Sequence, residues 1–157
     1  MSDQDDIWLP NKYRLCVSAL QKADLVLTNC KVVDSELNTI MPSFFAAYHS
    51  KPGLIRNILS GAYYGSCMAF RRRIYDKSLP WPSSPLVTHD LWLGLVAEMV
   101  GKVHFIPDIC MLYRRHDGTV TTVGTNLWTR SKRSLWLKIC TRIVLLYYVL
   151  HYKITRK

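Results

Sequence analysis

The chain has 157 residues, 49% of them hydrophobic and 20% charged, and its 21 Lys and Arg against 11 Asp and Glu leave a formal charge of +10. That length accommodates one compact core, and that composition excludes a disordered or collagen-like chain. The five cysteines, Cys16, Cys30, Cys67, Cys110 and Cys140, never form a CxxC pair, which speaks against a disulfide framework or thiolate zinc site and for reduced core thiols in a cytosolic protein.

An acidic start, Asp3, Asp5 and Asp6, runs directly into Ile7-Trp8-Leu9-Pro10. Nothing in it has the basic, apolar, small-residue progression of a secretory signal. Pro10 suits a first helical turn, and Tyr13, Cys16, Val17 and Leu20 recur at helical spacing. Residues 24–33 are rich in β-branched and apolar types and end in a turn-prone cluster at 34–38, which predicts a strand and a turn. Pro52-Gly53 precedes a short helix over 54–59, and residues 63–70 read as a buried strand interrupted by Gly65 and closed by Arg71-Arg72-Arg73.

The prolines at 80, 82 and 85 force a rigid loop, since each lacks a donor and biases its predecessor toward extended geometry. Thr88 is the expected N-cap of a helix whose face is Leu91, Trp92, Leu95, Val96, Met99 and Val100, with Gly101 as its stop. Two extended runs, 102–106 and 109–113, flank Pro107-Asp108. A polar stretch over 118–125 then leads to a basic terminal helix. The order of elements predicts an α/β or α+β layered fold, with a domain over 1–125 and an amphipathic helical segment over 126–157.

No acidic residue follows Asp117, whereas eight basic residues do, from Arg130 to Lys157. Aromatic and aliphatic residues interleaved with that charge favour an anionic membrane surface or a packed helix, and no recognisable module favours nucleic acid. The longest stretch there without Lys or Arg, residues 143–152, falls short of the ~20 residues that span a bilayer.

Three places gather reactive side chains. Asp3, Asp5 and Asp6 offer hard oxygen ligands to Mg²⁺ or Mn²⁺, the alternative being a solvated acidic end. Asp90, behind His89 at a helix start, is a carboxylate whose charged form the helix dipole stabilises, either to accept a proton or only to support the first turn. Tyr113-Arg114-Arg115-His116-Asp117 places Arg114 and His116 where an extended run enters a loop, fit for a phosphate or for ordinary exposure.

In order and rough spacing, SDQDDIWLPNKY, ADLVLTNCKVVD, GAYYGSCMAFRR, VTHDLWLGLVAEMVGKVHFI and LYRRHDGTVT resemble the second half of a family 2 glycosyltransferase of the bacterial rhamnosyltransferase-like kind. The likeness covers about residues 2–123. It implies a partial GT-A fold and inverting, metal-dependent transfer from a nucleotide-sugar donor to a glycan or lipid-linked acceptor, as in polysaccharide biosynthesis. By the same likeness, Asp3, Asp5 and Asp6 hold the cation in a DxD-type motif and Asp90 is the base. Arg114 and His116 meet the diphosphate, and Gly65, Ser66 and Cys67 pass the acceptor side.

The family's amino-terminal half, which binds base and ribose, has no counterpart here. The expectation is therefore a fragment or subunit, inactive until that half is supplied by another chain or a longer reading frame. Its loss would also expose a sheet edge and apolar surface. The alternatives are an inactive remnant or assembly module, or a basic membrane-surface protein. A cytoplasmic location, peripheral on the inner face of the cell membrane, is expected if the terminal helix meets lipid.

Overall fold

The computed structural model describes residues 5–115 and 134–156. Its elements alternate as β1 (Ile7–Trp8), α1 (Lys12–Leu20), β2 (Leu25–Val33), β3 (Thr39–Met41), α2 (Phe44–Tyr48), α3 (Leu54–Ser60), β4 (Met68–Phe70), α4 (Arg72–Ser78), α5 (His89–Val100), β5 (Val103–Arg114) and α6 (Leu135–Thr155). The α/β expectation holds. The sheet is mixed, with β2 parallel to β5 at its centre, β1 antiparallel on the far side of β5, and β3 and β4 antiparallel along the other side of β2.

The β2–β5 pair carries the fold. β2 uses nine residues and β5 twelve to cover the same ladder, from Leu25 opposite Val103 to Val33 opposite Arg114. The surplus of three is absorbed in two steps: Thr28 faces Ile106 but Asn29 faces Ile109, and Cys30 faces Met111, so that Pro107, Asp108 and Cys110 stand out of the ladder. Proline has no N–H to give a ladder, and a bulge is where a strand tolerates it. The two extended runs expected around Pro107 are therefore one strand. Asn29 closes the irregularity: its Nδ2 donates to the Pro107 carbonyl at 3.0 Å and to Ser43 Oγ at 2.9 Å, while its Oδ1 accepts from the Cys30 and Phe45 amides.

Side chains alternate across the sheet as its period of two requires. Val26, Ile106 and Cys110 pack with Ala23 beneath α1. Leu25, Leu27, Met68 and Met111 pack with Leu93 and Ala97 of α5 on the other face. The helix α5 is buried on two sides, because Trp92, Leu95 and Val96 also meet Leu145, Val149 and Tyr152 of α6. The expected one-sided face is thus too narrow, and Leu93 and Gly94, outside it, are at the centre of the contact. Thr88 is the N-cap residue, but its side chain makes no capping bond; Asp90 Oδ1 instead accepts from the Leu91 amide at 2.8 Å.

Other local expectations shift for physical reasons. The run over 63–70 is a strand only from Met68, because residues 65–67 form a 3-10 turn, with the Cys67 amide donating to the Tyr64 carbonyl at 3.0 Å. Pro10 lies before α1 rather than in it, the N-cap being Asn11. The arginines over 71–73 start α4 and are tied to the end of α1 and the start of β2: Arg71 donates to the Leu20 and Ala23 carbonyls, and Arg73 pairs with Asp24. Four of the five cysteines are buried and all five are thiols, with Cys140 half-buried.

Candidate active site

The sheet sets β1, and with it the end of the acidic start, along the last residues of β5. Ile7 pairs with Leu112 and Trp8 with Met111, so the residues just before β1 run alongside Tyr113 and Arg114 at the end of β5. Continued in the same register, Asp6 and Asp5 would come opposite Tyr113 and Arg114. Both carboxylate oxygens of Asp6 are buried, and so are Arg114 Nε and Arg115 Nη1. Asp3 and His116 lie outside the described residues.

Asp6 and Asp90 both act electrostatically on a buried cluster that includes Cys30 and Tyr64. The Cys30 thiol is pushed well above its usual range by a hydrogen bond with Cys67, then by burial, and in smaller part by the charges of Cys67 and Asp6. The Tyr64 hydroxyl is raised chiefly by burial, and further by Tyr48, Cys30, Asp90 and Tyr113. The charge of Asp6 thus acts on Cys30, and those of Cys30 and Asp90 act on Tyr64. Phe44 holds the aromatic wall, with its ring 4.1 Å from Tyr64 edge-on and 4.4 Å from Tyr48 in a stack.

Gly65, with Ser66 and Cys67, forms the turn behind this wall, and Thr28 Oγ1 donates to the Cys67 carbonyl at 3.2 Å. Lys12 reaches the same turn from α1: its Nζ donates to the Ser66 carbonyl at 2.6 Å and to Met111 Sδ at 3.2 Å, and lies 4.3 Å from the centre of the Trp8 ring. Burial lowers the Lys12 pKa, opposed by the nearby Cys67, Cys16 and Asp6. A largely apolar cavity of about 180 Å³ opens beside it, between Trp8, Tyr13, Cys16 and Met68.

Mg²⁺ is typically held by one or two carboxylates, with phosphate oxygens and water completing its octahedron. Asp5 and Asp6 are two such groups, and among the described residues no three His, Cys, Asp or Glu side chains converge. Sequence reasoning passed over Tyr64, Tyr48, Cys30 and Lys12. The Tyr63-Tyr64 doublet before Gly65 was visible, but its closeness to Asp90 depends on the fold. No family model matches the chain, and no curated protein matches its sequence.

Proposed function

We propose that this chain supplies the cation-binding and base half of a GT-A type, inverting family 2 glycosyltransferase that uses a nucleotide-sugar donor and a glycan or lipid-linked acceptor. The observation that supports the reading is that the Asp6 charge raises the buried Cys30 thiol while Cys30 and Asp90 raise the buried Tyr64 hydroxyl, so that two carboxylates from separate parts of the sequence act on one buried cluster. Ligands of open α/β sheets bind beyond the carboxyl ends of parallel strands, and the Val33–Arg114 end of that pair is such a place.

In this reading Asp90, half-exposed at the first turn of α5, takes the proton of the acceptor hydroxyl as that oxygen attacks the anomeric carbon. Asp5 and Asp6, with Asp3, would hold Mg²⁺ or Mn²⁺, whose charge would offset that of the departing nucleoside diphosphate. Arg114 adds its fixed charge at the same place, assisted by His116. Gly65 lines the acceptor side, and an amino-terminal half, in a longer protein or on another chain, holds the nucleotide base.

The test has two arms. Calorimetry of this chain with Mn²⁺ and a set of nucleoside diphosphates is expected to give cation-dependent binding that Asp6→Asn abolishes. In the enzyme completed with its amino-terminal half, Asp90→Asn is expected to lower nucleoside diphosphate release about 10²–10⁴-fold. Full turnover by that variant would reduce the chain to an assembly module.

A further inference from the structure

The helix α6 buries one face and leaves an apolar stripe on the other. Leu145, Val149 and Tyr152 pack against α5, and the Tyr152 hydroxyl donates to the Lys77 carbonyl at 3.1 Å. On the opposite face Trp136, Ile139, Ile143, Leu146, Leu150 and Ile154 recur every three or four residues and are all exposed, Trp136 and Ile154 to 74% and Ile143 to 62%. With a rise of 1.5 Å per residue the stripe runs for about 27 Å. A continuous exposed apolar face of this kind marks an interaction surface.

Charge identifies the occupant. Arg142 and Lys153 lie at the border between the packed and exposed faces, and Lys138 stands one turn before Arg142. From residue 118 onward the sequence has eight Lys and Arg and no Asp or Glu. A second copy of the helix would set like charges together with no carboxylate to pair them. Nucleic acid would leave the apolar stripe in water. An anionic bilayer satisfies both features, its headgroups meeting the basic residues and its acyl boundary the stripe. Trp136 and Tyr147, both exposed, are residue types that favour the headgroup level.

By length and composition α6, with 21 residues and a mean hydropathy of 1.2, could cross a membrane. Its packed face argues for lying in the membrane plane, because Leu145, Val149 and Tyr152 are already covered by protein.

We propose that the exposed face of α6 docks this protein onto an anionic lipid surface, with the helix lying in the interface. The inference is independent of the transferase reading, and Asp90→Asn leaves it unchanged. The experiment is co-sedimentation of the full chain with phosphatidylcholine vesicles, with and without phosphatidylserine, at low and high salt. Binding is expected on the phosphatidylserine vesicles and weakens with salt. The double variant Ile143→Glu, Leu150→Glu changes only exposed positions; it is expected to keep the urea midpoint and to lower partitioning roughly a hundredfold. Absence of binding to phosphatidylserine vesicles, or unchanged binding by the double variant, overturns the proposal. A lipid-free dimer that the double variant dissolves would assign the face to a second copy and overturn it as well.

Discussion

Replacing Asp24 with alanine tests how the start of β2 is fastened. Asp24 is 9% exposed, and its Oδ2 accepts from the Lys102 amide at 2.8 Å, while its Oδ1 accepts from Arg73 Nε at 2.8 Å. Its own amide donates to the Lys102 carbonyl at 2.7 Å, and its carbonyl accepts from the Arg71 amide at 2.9 Å. One residue thus joins α4, β2 and the entry to β5. Asp24→Ala keeps the backbone bonds, removes the Arg73 pair and leaves the Lys102 N–H without its acceptor. A hydrogen bond to a charged group contributes about 1.5–3 kcal/mol, so a loss in that range is expected from the Lys102 bond alone. The Arg73 side chain is 54% exposed, and solvent screens its share.

The pH dependence of that loss follows from the same geometry. The Arg73 hydrogen bond, the Lys102 amide and the charges of Arg73 and Arg71 hold the Asp24 carboxyl below its usual range, against an opposing effect of burial. Above the ordinary carboxylate value of about 4 the stabilisation is fully present; as pH falls below it, the unfolded chain takes up the proton first and the stabilisation declines through the folded value. Urea unfolding of wild type and Asp24→Ala at neutral pH and at about pH 3 measures this, and the gap between the two proteins is expected to narrow at the lower pH. A gap equally wide at both pH values refutes the assignment.

Two further outcomes are expected. A Cβ on Gly94 would enter the Tyr63 ring, 2.6 Å from Cδ1 and closer to Cγ, and that ring is anchored by its hydroxyl donating to Glu98 at 2.6 Å. Gly94→Ala should therefore destabilise by about 1–3 kcal/mol despite the usual helical gain of alanine over glycine, and an unchanged or raised urea midpoint would contradict the packing. Because burial depresses the Lys12 pKa, keeping its proton costs stability that is recovered as pH rises through the folded value toward the ordinary one of about 10. Wild type should gain on Lys12→Met as pH is raised from neutral to about 10, and parallel stability profiles would show that Lys12 is not desolvated.

Long segments with one clear period were legible. The strand over 24–33, the helices around Cys16 and Trp92, and the punctuation at Pro52-Gly53, Pro80 and Gly101 correspond to observed elements. Short ones were not: β3 and α2 have three and five residues, too few for a period to register, and α4 opens on arginines that read as the end of a strand. The α5 face was drawn too narrow because a helix caught between a sheet and another helix needs apolar residues on two sides. Asp6 and Asp90 could be nominated from chemistry alone. Cys30 and Tyr64 could not, because nothing in their own segments announces that folding will bury them within reach of those charges.

The residues that stand out of β5 act on a place they do not touch. In uniform register from Leu25 opposite Val103, Cys30 would face Asp108, whereas it faces Met111. Met111 and Leu112 carry β1, so without the surplus β1 would stand three residues further along the ladder, about 10 Å at strand rise, and Asp6 would be carried away from Cys30 with it. The position of Asp6 is therefore encoded about a hundred residues away, in how many residues β5 spends around Pro107. Lengthening or shortening that detour by one residue would shift the carboxylate along the sheet and turn it to the opposite face, with every acidic side chain still present.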